Sequence, residues 1–163
     1  DLPSFTDYAM KGRTYRYMEK EALYPFGYGL SYTRFAFKDA ALSAQTAGPD
    51  GVDLSVTVRN EGSRAGIETV QVYVKAERPG TPNAQLKGLA KVDLAPGEER
   101  RVTLHLPLEA LALCNEEGVC EVLPGDYTLW VGGSQPDARS ITLTGQAPAR
   151  LALHQTEKVV MDE

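Results

Sequence analysis

A chain of 163 residues, 42% hydrophobic and 24% charged, is long enough to bury a core of its own without disulfide or metal staples. Its formal charge of −5 argues against nucleic acid as a partner, because phosphate binding calls for clustered Lys and Arg. No apolar run approaches the roughly 20 residues needed to cross a bilayer, so no membrane partner is expected.

In chain order, Asp1-Leu2-Pro3-Ser4-Phe5 has neither an initiator Met nor a signal peptide and reads as a cut inside a longer polypeptide. Lys11, Arg13 and Arg16 are the nearest approach to a basic cluster, and with Glu19 and Glu21 close behind they read as surface ion pairs. Ten of the 13 aromatic residues fall in the first 37 positions, from Phe5 to Phe37. That stretch keeps neither a helical nor a strand period, and Pro25 and Gly27-Tyr28-Gly29 would interrupt either element. Each buried aromatic removes on the order of 150–250 Å² from water. Residues 1–34 are therefore expected to form an extended arm that wraps the following domain, a preceding one, or both.

From Phe35 the pattern turns to short alternating runs. Leu54, Val56 and Val58 face away from Ser55, Thr57 and Arg59, and Asn60-Glu61-Gly62 marks a turn. Val70, Val72 and Val74 alternate with Gln71 and Tyr73. Leu86, Ala90, Val92 and Leu94 follow, then Pro96-Gly97, then Val102, Leu104 and Leu106. Pro124-Gly125-Asp126 launches Tyr127, Leu129 and Val131, with Trp130 outward, and Ile141 and Leu143 are expected to supply the last strand. The result is an all-β, immunoglobulin-like antiparallel sandwich over residues 35–145. Tyr127 stands where a tyrosine corner would, with an ordinary core tyrosine as the other reading. Residues 146–163 form a tail in which Leu151, Leu153 and Gln155 add an edge strand.

The arm is also specific in its wording. Asp7-Tyr8-Ala9-Met10-Lys11-Gly12-Arg13-Thr14-Tyr15-Arg16-Tyr17, followed by Tyr24-Pro25-Phe26-Gly27-Tyr28-Gly29-Leu30-Ser31-Tyr32-Thr33, resembles the segment that leads into the C-terminal domain of family-three glycoside hydrolases. Those are β-glucosidases and β-xylosidases, and the arm is closer in wording to bacterial β-xylosidases. Val56-Thr57-Val58-Arg59-Asn60-Glu61-Gly62, Leu86-Lys87-Gly88-Leu89 and Pro124-Gly125-Asp126-Tyr127 resemble the fibronectin type III-like domain of that family. The resemblance spans roughly Leu2 to Gly145. It implies a non-catalytic module that packs on the catalytic domains of its own polypeptide, with no cofactor. The compartment is not read from the sequence; a bacterial source and a cytoplasmic rather than secreted parent are the working expectation. Under that resemblance Arg13, Tyr15 and Arg16 fix the arm to the preceding domain or border the substrate pocket. An alternative is a carbohydrate-binding module that takes oligosaccharide on Trp130 and Tyr73. A free-standing adhesion domain is a third reading, which the apolar arm disfavours.

No catalytic residue is expected within the chain. A retaining glycosidase needs two carboxylates about 5–5.5 Å apart, whereas Glu98-Glu99 and Glu116-Glu117 are neighbours beside turns whose side chains diverge into water. His105 and His154 lack partners at metal-ligand spacing. Gly27-Tyr28-Gly29 precedes no helix, and Ser31 has no nucleophile-elbow context. Cys114 and Cys120 flank a hairpin loop with Gly118 at the left-handed bulge position, which sets them opposite each other as a non-hydrogen-bonded pair. Thiols in a cytoplasmic parent stay reduced, so two free cysteines are expected, with a disulfide as the alternative.

Overall fold

Runs with an apolar residue at every second position form strands because alternate side chains then enter a core while the others meet solvent. In the computed structural model, which describes residues 14–29, 31–115 and 117–161, these runs become β1 (Phe35–Leu42), β2 (Val52–Asn60), β3 (Gly66–Ala76), β4 (Gln85–Leu94) and β5 (Glu99–Leu106). A 3-10 turn (Leu108–Leu111) leads to the hairpin strands β6 (Leu113–Cys114) and β7 (Cys120–Val122). Then come β8 (Gly125–Gly132), helix α1 (Ala138–Thr144), β9 (Ala149–Gln155) and β10 (Val159–Val160).

The strands pair antiparallel in two main sheets, ordered β1-β2-β5 and β4-β3-β8-β9, with β10-β7-β6 as a small third sheet. The facing sides of the two main sheets make the core. Leu54, Val56 and Val58 of β2, Val70 and Val72 of β3, and Leu129 and Val131 of β8 are all fully buried. Each such burial stabilises the fold by about 1.5–3 kcal/mol relative to exposure. At Gly88 the two sheets come close: a Cβ there would lie 3.2 Å from a Leu106 methyl and 3.4 Å from one of Leu104. Tyr127 is buried, and its hydroxyl donates to the Leu123 carbonyl (2.9 Å) and accepts from the Leu123 amide (3.1 Å), the reach-back of a tyrosine corner.

One element departs from expectation. Ile141 and Leu143 lie in α1, not in a strand. Asp137 caps that helix by accepting from the Ser140 amide (2.7 Å), and Gly145 closes it in the left-handed region at φ 70°. These two end signals outweigh a two-residue alternation. The outermost strand next to β8 is instead β9, paired from Gly125–Gln155 through Val131–Ala149, with Leu153 buried.

Candidate functional site: the seam between arm and sandwich

The arm is fastened to the sandwich at several points, each of which a particular residue type makes possible. Tyr28 N–H donates to the Pro25 carbonyl (3.2 Å), closing a turn with Gly27 at its third position and φ 83°. That is the place where a type II turn calls for glycine. A Cβ on Gly27 would also overlap the Gln71 amide. Gln71 and Tyr73 alternate with the core valines of β3 and so belong to the outer face of the sheet, yet they are only 4% and 3% exposed. Gln71 donates to the Gly133 carbonyl (2.7 Å) and accepts from the Tyr73 hydroxyl (2.8 Å), so its amide is held rigidly beneath the turn. Burial, helped by the Asp137 carboxylate, pushes the Tyr73 hydroxyl up to about 12. The Gln135 amide donates to the Phe26 carbonyl (3.2 Å), and Asn83 donates to the carbonyls of Arg16 (2.7 Å), Met18 (3.1 Å) and Tyr15 (3.3 Å).

A second fastening lies where the arm enters β1. Asn60 is fully buried at the end of β2. Its amide donates to the carbonyls of Arg64 (2.7 Å) and Leu94 (3.0 Å), while its oxygen accepts from the Gly62 amide (3.0 Å) and the Thr33 hydroxyl (2.6 Å). One side chain thus joins the arm, the β2–β3 turn and β4 with all of its hydrogen-bonding capacity satisfied. Gly62 is required beside it, since a Cβ there would overlap the Thr33 hydroxyl.

The opposite side of the arm faces outward. Tyr15, Leu23, Tyr24, Phe26 and Tyr32 are 63–91% exposed, and Tyr24 stacks on Tyr28 with ring centroids 5.8 Å apart. Between the Pro25–Tyr28 turn and the sandwich runs an open groove of about 790 Å³. Gly27 and Gly29 line it on the arm, Gly132 and Gly133 on the sandwich, and no side chain from these positions fills it. Glu68 also lines the groove; burial raises its carboxyl above the ordinary value, opposed in part by the Thr69 amide that donates to it (2.7 Å).

The residues singled out from the sequence are scattered. Arg13 lies outside the described residues. Tyr15 is exposed and Arg16 sits next to it, its Nε 3.5 Å from the Tyr15 hydroxyl. Trp130 is half-buried on β8, across from Tyr73 on one side and Arg150 on the other, and does not line the groove. Because Tyr73 is buried, the pair offers no exposed two-ring platform. Cys114 and Cys120 are joined in a disulfide, which corrects the expectation of free thiols. Their hairpin brings the Cα atoms to 3.9 Å, and Asn115 N–H donates to the Val119 carbonyl just inside them (3.0 Å). Glu98 turns to Arg100 (2.6 Å) and Glu99 to Lys38 (2.6 Å), so the two carboxylates diverge; Glu116 lies outside the described residues. His105 and His154 each face a cross-strand aspartate, Asp53 at 2.8 Å and Asp126 at 2.6 Å. Among the described residues, no cluster of three or more His, Cys, Asp or Glu is placed to hold a metal ion, and no helix is long and apolar enough to cross a membrane. Sequence reasoning passed over Asn60, Glu68 and Gln71 as site residues: Asn60 reaches Thr33 and Leu94, and Gln71 reaches Gly133, far along the chain, while Glu68 bonds only its neighbour Thr69 and joins the groove through the fold. The one available signal was the coincidence of polar residues with glycines in Asn60-Glu61-Gly62.

Residues 68–135 match the family model of fibronectin type III-like domains. A xylan 1,4-β-xylosidase of Xylanibacter ruminicola is 38% identical over 149 residues, covering 88% of this chain and 17% of that enzyme. The periplasmic β-glucosidase of Salmonella typhimurium is 40% identical over 124 residues, covering 73% of this chain and 16% of its own length. Among solved structures, β-glucosidase 3B of Thermotoga neapolitana in complex with α-D-glucose superposes with a TM-score of 0.72 at 32% identity, covering 88% of this chain and 19% of that one. Fold and match together define a fibronectin type III-like domain. It belongs, with the arm that precedes it, to the kind found in family-three β-glucosidases and β-xylosidases, and spans about a sixth of the length of those curated relatives.

Proposed function

We propose that this chain is the non-catalytic structural module of a β-glycosidase, of β-xylosidase or β-glucosidase type, that packs against the catalytic domains of its own polypeptide and stabilises them. The observation that carries this reading is the two-sided arm. Its backbone is hydrogen-bonded to the sandwich at Asn83 and Gln135, while its large apolar side chains face away from it. Of the 11 large hydrophobic residues exposed among the described residues, six (Tyr15, Met18, Leu23, Tyr24, Phe26 and Tyr32) lie on this short segment. Apolar surface gathered in this way marks a protein interface. In the parent polypeptide the two catalytic carboxylates come from outside this chain.

The purified chain is expected to release no nitrophenol from aryl β-xylosides or aryl β-glucosides. Turnover that scales with pure chain would overturn the reading. The carbohydrate-binding alternative on Trp130 and Tyr73 draws no support from the buried position of Tyr73. Retardation in a gel containing soluble xylan, abolished by Trp130→Ala, would revive it.

A further inference from the structure

We infer that the segment of the catalytic domains that closes over this groove carries a basic side chain, which pairs with the carboxylate of Glu68. This pairing rests on the structural-module reading and names the chemistry that the partner brings to one point of the interface. Exposed apolar residues line the groove on both banks, Phe26 on the arm and Ile67 and Leu89 on the sandwich, all 58–63% exposed. A partner that covers both banks also covers what lies between them. Glu68 lies there. It stands opposite Val92 and continues the inward-facing series of Val70, Val72 and Val74 to the rim of the core. Its Oε1 accepts from the Thr69 amide (2.7 Å) and lies beside Gly133, where an added Cβ would meet it at 3.5 Å. Among the described residues Oε2 accepts no hydrogen bond, and the carboxylate belongs to no ion pair.

The chain itself supplies no counter-charge. Arg34 is the other charged residue on the groove among those described, and it forms no ion pair with Glu68. Lys91 and Asp93 flank Val92 but are exposed on the opposite face of β4. Burial therefore raises the Glu68 carboxyl above its ordinary value, opposed only by the Thr69 amide. With the groove open, solvent still tempers that loss of hydration. Closing the groove removes this relief, and an ionised carboxylate sealed in without a cation is strongly disfavoured. Either a proton or a cation must then join it. A proton would need an acceptor, and the Gly133 carbonyl beside it is already engaged by Gln71. A cation has room to enter. Gly27, Gly29, Gly132 and Gly133 line the groove without side chains, and its volume of about 790 Å³ admits a loop bearing a long basic residue.

The test compares the longer β-glycosidase polypeptide with the isolated chain, reading the rate of proteolytic cutting in the exposed Glu19–Tyr24 stretch across pH. In the isolated chain, NMR titration should place the Glu68 midpoint above the ordinary glutamate value. Pairing lowers that midpoint in the docked form. The contribution of Glu68 to docking is therefore present above the isolated-chain midpoint and is lost as pH falls through the docked one. Glu68→Gln should speed cutting of the longer polypeptide about tenfold at neutral pH and flatten its pH dependence. The same substitution should leave the rate in the isolated chain unchanged, and Glu157→Gln, exposed in the tail, should alter neither. The pH series on the unaltered polypeptide is a second readout that needs no variant. Equal cutting of the Glu68→Gln and unaltered longer polypeptides would overturn the proposal. So would protection that grows as pH falls, the mark of a carboxyl docked in its neutral form. Failure of the structural-module reading looks different: the longer polypeptide would then be cut as fast as the isolated chain, whichever residue stands at position 68.

Discussion

The arm and the sandwich put hydrophobic residues to opposite uses. In the sandwich they are aliphatic and alternate with polar ones, so Leu54, Val56, Val70, Val72 and Leu129 vanish into one core. In the arm they are aromatic and aperiodic, and Leu23, Tyr24 and Tyr32 stay 67–91% exposed although the backbone beneath them is fastened down. Periodicity is what lets a chain bury its own apolar surface. A segment without it can hold a position through backbone hydrogen bonds and still present its side chains to something else. The difference is what separates a domain from a connector.

The comparison can be broken most severely at Asn60, which serves both regions. Asn60→Ala leaves the Leu94 and Arg64 carbonyls and the Gly62 amide without their partner and should destabilise the chain by about 3 kcal/mol in urea unfolding. Reducing the Cys114–Cys120 disulfide, which spans a sequence separation of 6, should cost about 2 kcal/mol. That loss should leave protection of the arm untouched. Tyr127→Phe removes the hydroxyl bonded to Leu123 and should lower sandwich stability by about 1 kcal/mol.

Gly27→Ala sharpens the contrast from the other side. A side chain at φ 83° is strained and collides with Gln71, so the arm should be released locally while the melting temperature of the sandwich changes little. Proteolysis rates in the arm would report it. The smallest effect is electrostatic. A hydrogen bond to Asp53 raises the exposed His105 ring above the ordinary histidine value. Its contribution is therefore complete below the ordinary value and is lost as pH rises through the folded one. Asp53→Asn should return the NMR titration midpoint of His105 toward the ordinary value.

The sheets were legible in the sequence because alternation is local. Val56 to Val58 and Val70 to Val74 announce their faces without reference to anything distant. The helix at Ala138–Thr144 was not, since Ile141 and Leu143 mimic a strand and the deciding signals, Asp137 and Gly145, lie outside them. Nor were the fastenings. Asn60 meets Thr33 from 27 residues away and Leu94 from 34, and Gln71 meets Gly133 from 62. Such pairs exist only once the strands are in register. The groove belongs to the same class, because Phe26, Glu68 and Gly133 converge through folding and not through spacing. The cysteine pair was half legible: the hairpin register followed from Gly118, whereas the bond between the sulfurs did not.

The central claim is that the arm is held by the sandwich on one side and covered by the catalytic domains on the other. Limited proteolysis tests it most directly, with the products identified by mass spectrometry for the isolated chain and for the longer β-glycosidase polypeptide. The account predicts that the isolated chain is cut first around the exposed Glu19–Tyr24 stretch, leaving a resistant core that begins near Pro25, and that the same bonds resist cleavage in the longer polypeptide. Cutting in that stretch at equal rates in both would contradict it.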